Sequence, residues 1–261
     1  MPEHGHPPVA APAAVVLALL LTGHLVALAA ARRRGRSPAW WRTAAWYAGL
    51  ASAAVALLGP PGRAAHHDFT AHTVVHLLLG MLAPVLLVYS APVTLLLRVL
   101  PVDGARRLSR VLASPPLRVV THPVVAATLD AGGLWLLYTT GLYAATATDP
   151  VLHAAVHLHL VVAGYLFTAS VLAVDPMPHR SGLGTRAAVL VAFTAAHAIL
   201  AKYLYAHPPA GVGDTEAQAG ALLMYYGGDL VHLVLIVGVC LQWYTAARPR
   251  TRAGMPATAR G

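Results

Sequence analysis

His72 and His76, in "HTVVH", and His153 and His157, in "HAAVH", are two pairs of histidines spaced i, i+4. On a helix that spacing puts both imidazoles on one face. A face carrying two histidines can chelate one metal ion, the geometry that HExxH motifs use. Two such pairs at one depth could complete a tetrahedral site or hold two ions. Imidazole suits copper, zinc and iron, while thioether favours Cu(I). Met81 lies five residues after His76 and Met224 five before Asp229. The one cysteine, Cys240, excludes an intrachain disulfide and a cysteine zinc cage. The set therefore points to copper before structural zinc. Facing histidines can also ligate haem, with His76 and His157 as the axial pair.

A single histidine in a membrane helix more often makes a hydrogen bond to a neighbouring helix, and that is the reading for His24, His122 and His159. His159 points about 200° away from His157 on a helix. Four imidazoles desolvated at one depth demand a larger compensating interaction. Asp130, Asp229, His197 and His232 also lie within apolar stretches, where ionisable groups mark functional sites. They are candidates for supporting groups, for a second site, or for the polar path of a transporter. "GGD" at Gly227 to Asp229 could equally serve close helix packing, with Asp229 paired to a histidine. If Met1 is removed, His4 stands third from a free amine, a Cu(II)-chelating arrangement. No nucleophile and base arrangement is evident, so a non-enzymatic protein is expected.

The elements that must position these groups follow from composition. Of 261 residues, 57% are hydrophobic and only 10% charged, against about 25% charged in soluble domains. The mean hydropathy is +0.63. This is the composition of an all-α, polytopic membrane protein. The formal charge of +9 does not signal nucleic-acid binding, because the arginines fall in short clusters between apolar runs, as topology signals do. Stretches of about 20 apolar residues cross a bilayer. Seven are read, at about 9–31, 40–59, 70–90, 119–141, 151–174, 184–206 and 219–245, within one transmembrane domain over residues 1–261 and with a disordered tail over about 246–261. "RRRGR" follows the first stretch and no basic residue precedes it. That is the reverse of a signal peptide's charge order, so a retained first span is expected.

Sixteen of the eighteen basic residues fall on one side of this scheme: Arg32, Arg33, Arg34, Arg36, Arg42, Arg98, Arg106, Arg107, Arg110, Arg118, Arg180, Arg186, Arg248, Arg250, Arg252 and Arg260. By the positive-inside rule the N-terminus is outside and the C-terminus cytoplasmic. His72, His76, His153, His157, His207 and the loop histidines His66 and His67 then gather at the outer side. The longest connection, Val99 to Arg118, is basic and has room for a short interfacial helix. Pro84 and Pro92 are expected to break or kink the third span.

The run "HTVVHLLLGMLAPVLLVYSAPVTLLLR", from His72 to Arg98, resembles the signature of the CtaG family of cytochrome c oxidase assembly factors, found with caa-type oxidases. "THP" at Thr121, "VDPMP" at Val174 after "GYLF", and "MYYGGDL" at Met224 follow in the same order, and His153 and His157 match the family's histidines. The likeness covers roughly residues 40 to 245. Tyr89-Ser90 and Thr168-Ala169-Ser170 depart from the family pattern without removing a histidine. The resemblance implies a multi-pass plasma-membrane protein that helps mature the terminal oxidase, with oxidase subunits as partners and copper handling as its activity. The expected metal ligands are His72, His76, His153 and His157.

Overall fold

Proline and glycine divide the apolar chain into helices of unequal length. The computed structural model describes residues 10–65 and 67–248. Among them are thirteen α-helices and one π-helical segment, and no strand. In chain order they are α1 (Ala10–Arg33), α2 (Trp40–Leu58), α3 (Pro60–Ala64), α4 (Phe69–Val75), the π segment (His76–Leu82), α5 (Ala83–Ser90), α6 (Pro92–Val99), α7 (Val102–Leu112), α8 (Pro115–Val120), α9 (Pro123–Thr139), α10 (Leu142–Thr146), α11 (Pro150–Leu172), α12 (Leu183–Ala206) and α13 (Asp214–Ala247). His4, and all of the expected tail beyond Arg248, lie outside the described residues.

Six helical stretches are long and apolar enough to cross a membrane: Ala10–Arg33, Trp40–Ala64, Phe69–Val99, Pro150–Leu172, Leu183–Ala206 and Asp214–Ala247. The remaining expected span, about 119–141, is shorter. His122 adopts an extended conformation (φ −69°, ψ 129°), as the residue before a proline prefers. This separates α8 from α9, whose 17 residues reach about 26 Å at 1.5 Å per residue. The final helix is longer than expected. Asp214 and Glu216 occupy its first turn, where carboxylates favour a helix start, and it runs for 34 residues. Within the long basic connection, α7 carries arginines and no buried residue.

Large apolar side chains such as Leu19, Leu158, Val191 and Leu230 stay exposed. In water such a surface would be an aggregation liability; against hydrocarbon it is the expected covering. α12 and α13 pack along each other, α9 lies against α11 and α12, α13 reaches α4, and α2 covers the π segment and α5. Two apolar clusters form the core. One contains Phe69, Leu134, Tyr138, Leu160, Leu200 and Met224. The other contains Val85, Phe167, Val171, Phe193 and Leu235. His197 and His232 fall between them along α12 and α13.

The Phe69–Val99 stretch is not one regular helix. Pro84 lacks the N–H that would bond to the Gly80 carbonyl in an α-helix, and the turn before it widens into the π segment, where the Ala83 N–H donates to the Leu78 carbonyl. The Ser52 hydroxyl also donates to that carbonyl, at 2.9 Å. Gly164 of α11 faces the Gly80 carbonyl so closely that a Cβ there would lie 2.1 Å from the oxygen. Before Pro92 the chain breaks at Ala91, which is left-handed (φ 53°). A second left-handed alanine, Ala173 (φ 45°), ends α11 and turns the chain toward Asp175. The Asp175 carboxylate then caps α6, accepting from the N–H of Val93 (3.2 Å) and Thr94 (2.7 Å) and from the Thr94 hydroxyl (2.6 Å). The last carbonyls of α11 are met from other helices. Arg186 donates to Val171 O at 2.8 Å and Gln242 to Leu172 O at 2.6 Å, while Gln242 accepts from Arg186 at 2.9 Å.

Asp175 supplies a cap that no neighbour replaces, and loss of such a cap costs about 1–2 kcal/mol. Asp175→Ala is expected to lower the melting temperature of the detergent-purified protein. Asp103→Ala, whose carboxylate is largely exposed in a surface ion pair with Arg106, should leave it unchanged.

Candidate metal centre

Two helices that begin in the same way position the histidine pairs. Asp68 is the N-cap of α4, accepting from the Ala71 N–H at 3.0 Å. Asp149 is the N-cap of α11, accepting from Val151 and Leu152 at 2.8 and 3.1 Å. Each carboxylate satisfies amide donors that have no intrahelical acceptor. A histidine follows each cap after four residues and a second after eight: Asp68, His72, His76 and Asp149, His153, His157. Glu216 of α13 accepts a short hydrogen bond from the Phe69 N–H, fixing the start of α4 from a third helix.

Beside these helix starts is a cavity of about 390 Å³, whose walls include His67, His72, His153, Tyr143, Thr146 and Glu216. His72 is buried. Its ring lies parallel to Phe69 (6.3 Å, 12°) and edge-on to Tyr143 (5.0 Å, 80°) and Tyr138 (5.9 Å, 88°). The rings of His153 and His157 are 4.2 Å apart. His157 Nδ1 is 2.9 Å from the His153 carbonyl. A carbonyl only accepts, so Nδ1 carries the hydrogen and Nε2 carries the lone pair in the neutral ring. The protein thus sets the tautomer that ligates through Nε2, as supporting hydrogen bonds do in metal sites. Burial, then the Glu216 and Asp68 carboxylates, push the Tyr143 phenol up to about 12. Without a metal Tyr143 therefore stays neutral and contributes a wall and a hydroxyl.

His76 is placed differently from the other three expected ligands. Its ring is 5.9 Å from that of His197, which is 5.0 Å from that of His232. All three are buried, at 2%, 2% and 1% exposure. Among the described residues none of their six ring nitrogens has a hydrogen-bond partner. The one-turn spacing of His72 and His76 thus serves two different places, the chamber and a deeper triad. Among the described residues no three His, Cys, Asp or Glu side chains stand in an arrangement that already grips an ion.

The remaining candidates divide clearly. Asp130 is buried and lines a small cavity with Met81 and His232. Met224 packs in the apolar cluster around Phe69. Asp229 is half-buried and takes part in no hydrogen bond or ion pair among the described residues, so the expected pairing with a histidine is absent there. The glycines before it do serve close approach. A Cβ at Gly227 would meet Leu77 at 2.6 Å, and one at Gly228 would meet His197 at 2.4 Å. His159 makes a bond outside either cluster, Nε2 donating to the Leu129 carbonyl of α9 at 3.0 Å. His24 stacks on Trp46 at 4.8 Å. Asp68, Asp149 and Glu216 were not among the residues singled out from sequence, although an aspartate four residues before each histidine pair is visible there.

A family model described as cytochrome c oxidase caa3 assembly factor matches residues 22–246. Uncharacterised proteins of Mycobacterium bovis and Mycobacterium tuberculosis are each 35% identical over 195 residues, covering 71% of this chain and 29% of theirs. An uncharacterised protein of Mycobacterium leprae is 25% identical over 251 residues, 88% of this chain and 38% of its own. The chain thus spans about a third of the length of these relatives. No solved structure matches it.

Gly228 is the position most intolerant of a side chain beside the triad. Gly228→Ala is expected to destabilise the protein by about 1–3 kcal/mol through overpacking against His197. Gly132→Ala, with nothing within 4 Å of the new Cβ, should be neutral or stabilising. Thermal unfolding of both variants in detergent checks the pair.

Proposed function

Because this chain belongs to the cytochrome c oxidase caa3 assembly factor family, we propose that it binds copper in the chamber between α4 and α11 and presents it to oxidase subunits. The ligands are His72 and His153, which line the chamber, and His157, one turn further along α11, with His67 at the chamber wall. His76, grouped with them by spacing, serves the deeper triad. The reading rests above all on His157, whose Nδ1 is tied to a carbonyl so that Nε2 is the ligating nitrogen. Phe69 and Tyr143 wall the chamber, and its imidazoles supply the nitrogen ligands. The protein acts as a carrier, not as a catalyst.

The placement of the chamber follows from charge. With α9 as a seventh, short span, the basic connections between spans face the cytoplasm under the positive-inside rule. The N-terminus and the chamber then face outward from the plasma membrane. A short span is accommodated by local thinning of the bilayer or by packing against its neighbours, and α9 lies between α11 and α12. Copper would be received and released on the extracytoplasmic side.

Metal analysis and a visible spectrum of the purified protein test this. His153→Ala/His157→Ala should lose the chamber-bound copper while keeping the helical circular dichroism of the wild type. Undiminished copper in that variant, or a stoichiometric Soret band showing haem on these histidines, contradicts it. Imidazole binds metal only when deprotonated. Copper retention should therefore be complete near neutral pH and fall as the pH drops below about 6.

A further inference from the structure

We infer that His76, His197 and His232 form a second, buried site for a single Cu(I) ion, with Asp130 as its counter-charge. The inference uses residues separate from the chamber and stands whether or not the chamber holds copper.

The first argument is the unmatched polarity of the triad. A neutral imidazole offers one donor and one acceptor, and buried polar atoms in folded proteins are overwhelmingly paired. Here six ring nitrogens on three rings have no partner. They come from the π segment, α12 and α13, so one helix's local packing cannot explain their meeting. Asp130 adds a second anomaly. It is buried on α9 and takes part in no hydrogen bond or ion pair among the described residues, yet it shares a cavity of about 10 Å³ with His232 and Met81. Three unpartnered imidazoles, one of which shares a cavity with an unpartnered carboxylate, have the composition of a cation site.

Spacing and charge select the ion. Rings ligating one ion at about 2.0 Å through nitrogen have centroids about 5 to 5.5 Å apart. The two separations that involve His197 are 5.0 Å, to His232, and 5.9 Å, to His76. The His76 and His197 rings are inclined by only 23°, so loading turns them about their side-chain bonds until their nitrogens converge. A buried charge must be neutralised where it sits. One monovalent cation balances one carboxylate, whereas a divalent ion would leave an excess positive charge among Phe193, Phe167 and Leu235. Imidazole ligands and the thioether of Met81 on the cavity wall suit Cu(I). The site is also prepared sterically. Gly228 leaves room for the His197 ring, and the π segment begins at His76, a distortion found frequently at functional sites.

The test uses full-length protein in detergent, stripped of metal and titrated anaerobically with Cu(I) against a chromophoric Cu(I) chelator. In the His153→Ala/His157→Ala background one equivalent of Cu(I) should remain. Adding His197→Gln or His232→Gln should remove it, and Asp130→Asn should weaken it at least tenfold, with melting temperature and circular dichroism monitored in each. No bound equivalent in a folded chamber variant overturns the inference and leaves an internal water as the partner of the triad. An equivalent that survives both glutamine substitutions overturns it as well. Loss of copper only from the chamber variant, with this equivalent intact, bears on the chamber alone.

Discussion

An imidazole sunk into a bundle that spans hydrocarbon is cut off from bulk water, and this constraint organises the molecule. Each buried ring nitrogen must find a carbonyl, another side chain or an ion within the protein. His157 and His159 find carbonyls, at His153 and Leu129. His24 presents its ring face to Trp46. His76, His197 and His232 find nothing on either ring nitrogen. His24 Nε2 lacks a partner as well, but among the described residues only the triad brings three such rings together.

Helix ends do most of the positioning. Asp68 and Asp149 start the two histidine helices, Glu216 ties the first of them to α13, and Asp175 starts α6. Carboxylates are scarce in this chain, and these four are used at helix N-termini, where unpaired amides and the helix dipole both favour negative charge. Glycine does the complementary work within the helices. Gly164 meets the Gly80 carbonyl, and Gly228 admits the His197 ring. Polar ends and small interior residues together hold three histidine-bearing helices at a spacing that their bulky apolar neighbours would otherwise prevent.

Much of this was readable from residue types alone. Low charge and long apolar runs announced the helical membrane scaffold, and the i, i+4 pairs singled out four histidines that the fold buries. The aspartate that precedes each pair by four residues was equally visible but is meaningful only once the helix start is placed. The division of His72 from His76 was hidden, because it depends on tertiary packing: His76 opens the π segment and meets His197 of α12. His197 and His232, 35 residues apart in number, meet only through the packing of two helices. Glu216 caps a helix 147 residues earlier, a contact no local pattern encodes. The shortness of α9 follows from His122 and Pro123, a breaking signal masked by the apolar residues on both sides.

Copper K-edge X-ray absorption on the copper-loaded, full-length protein addresses the central claim most directly. The account predicts a first shell of nitrogens at about 2.0 Å, with the longer-range scattering of imidazole rings. A first shell of oxygen or sulfur without that imidazole signature would contradict it.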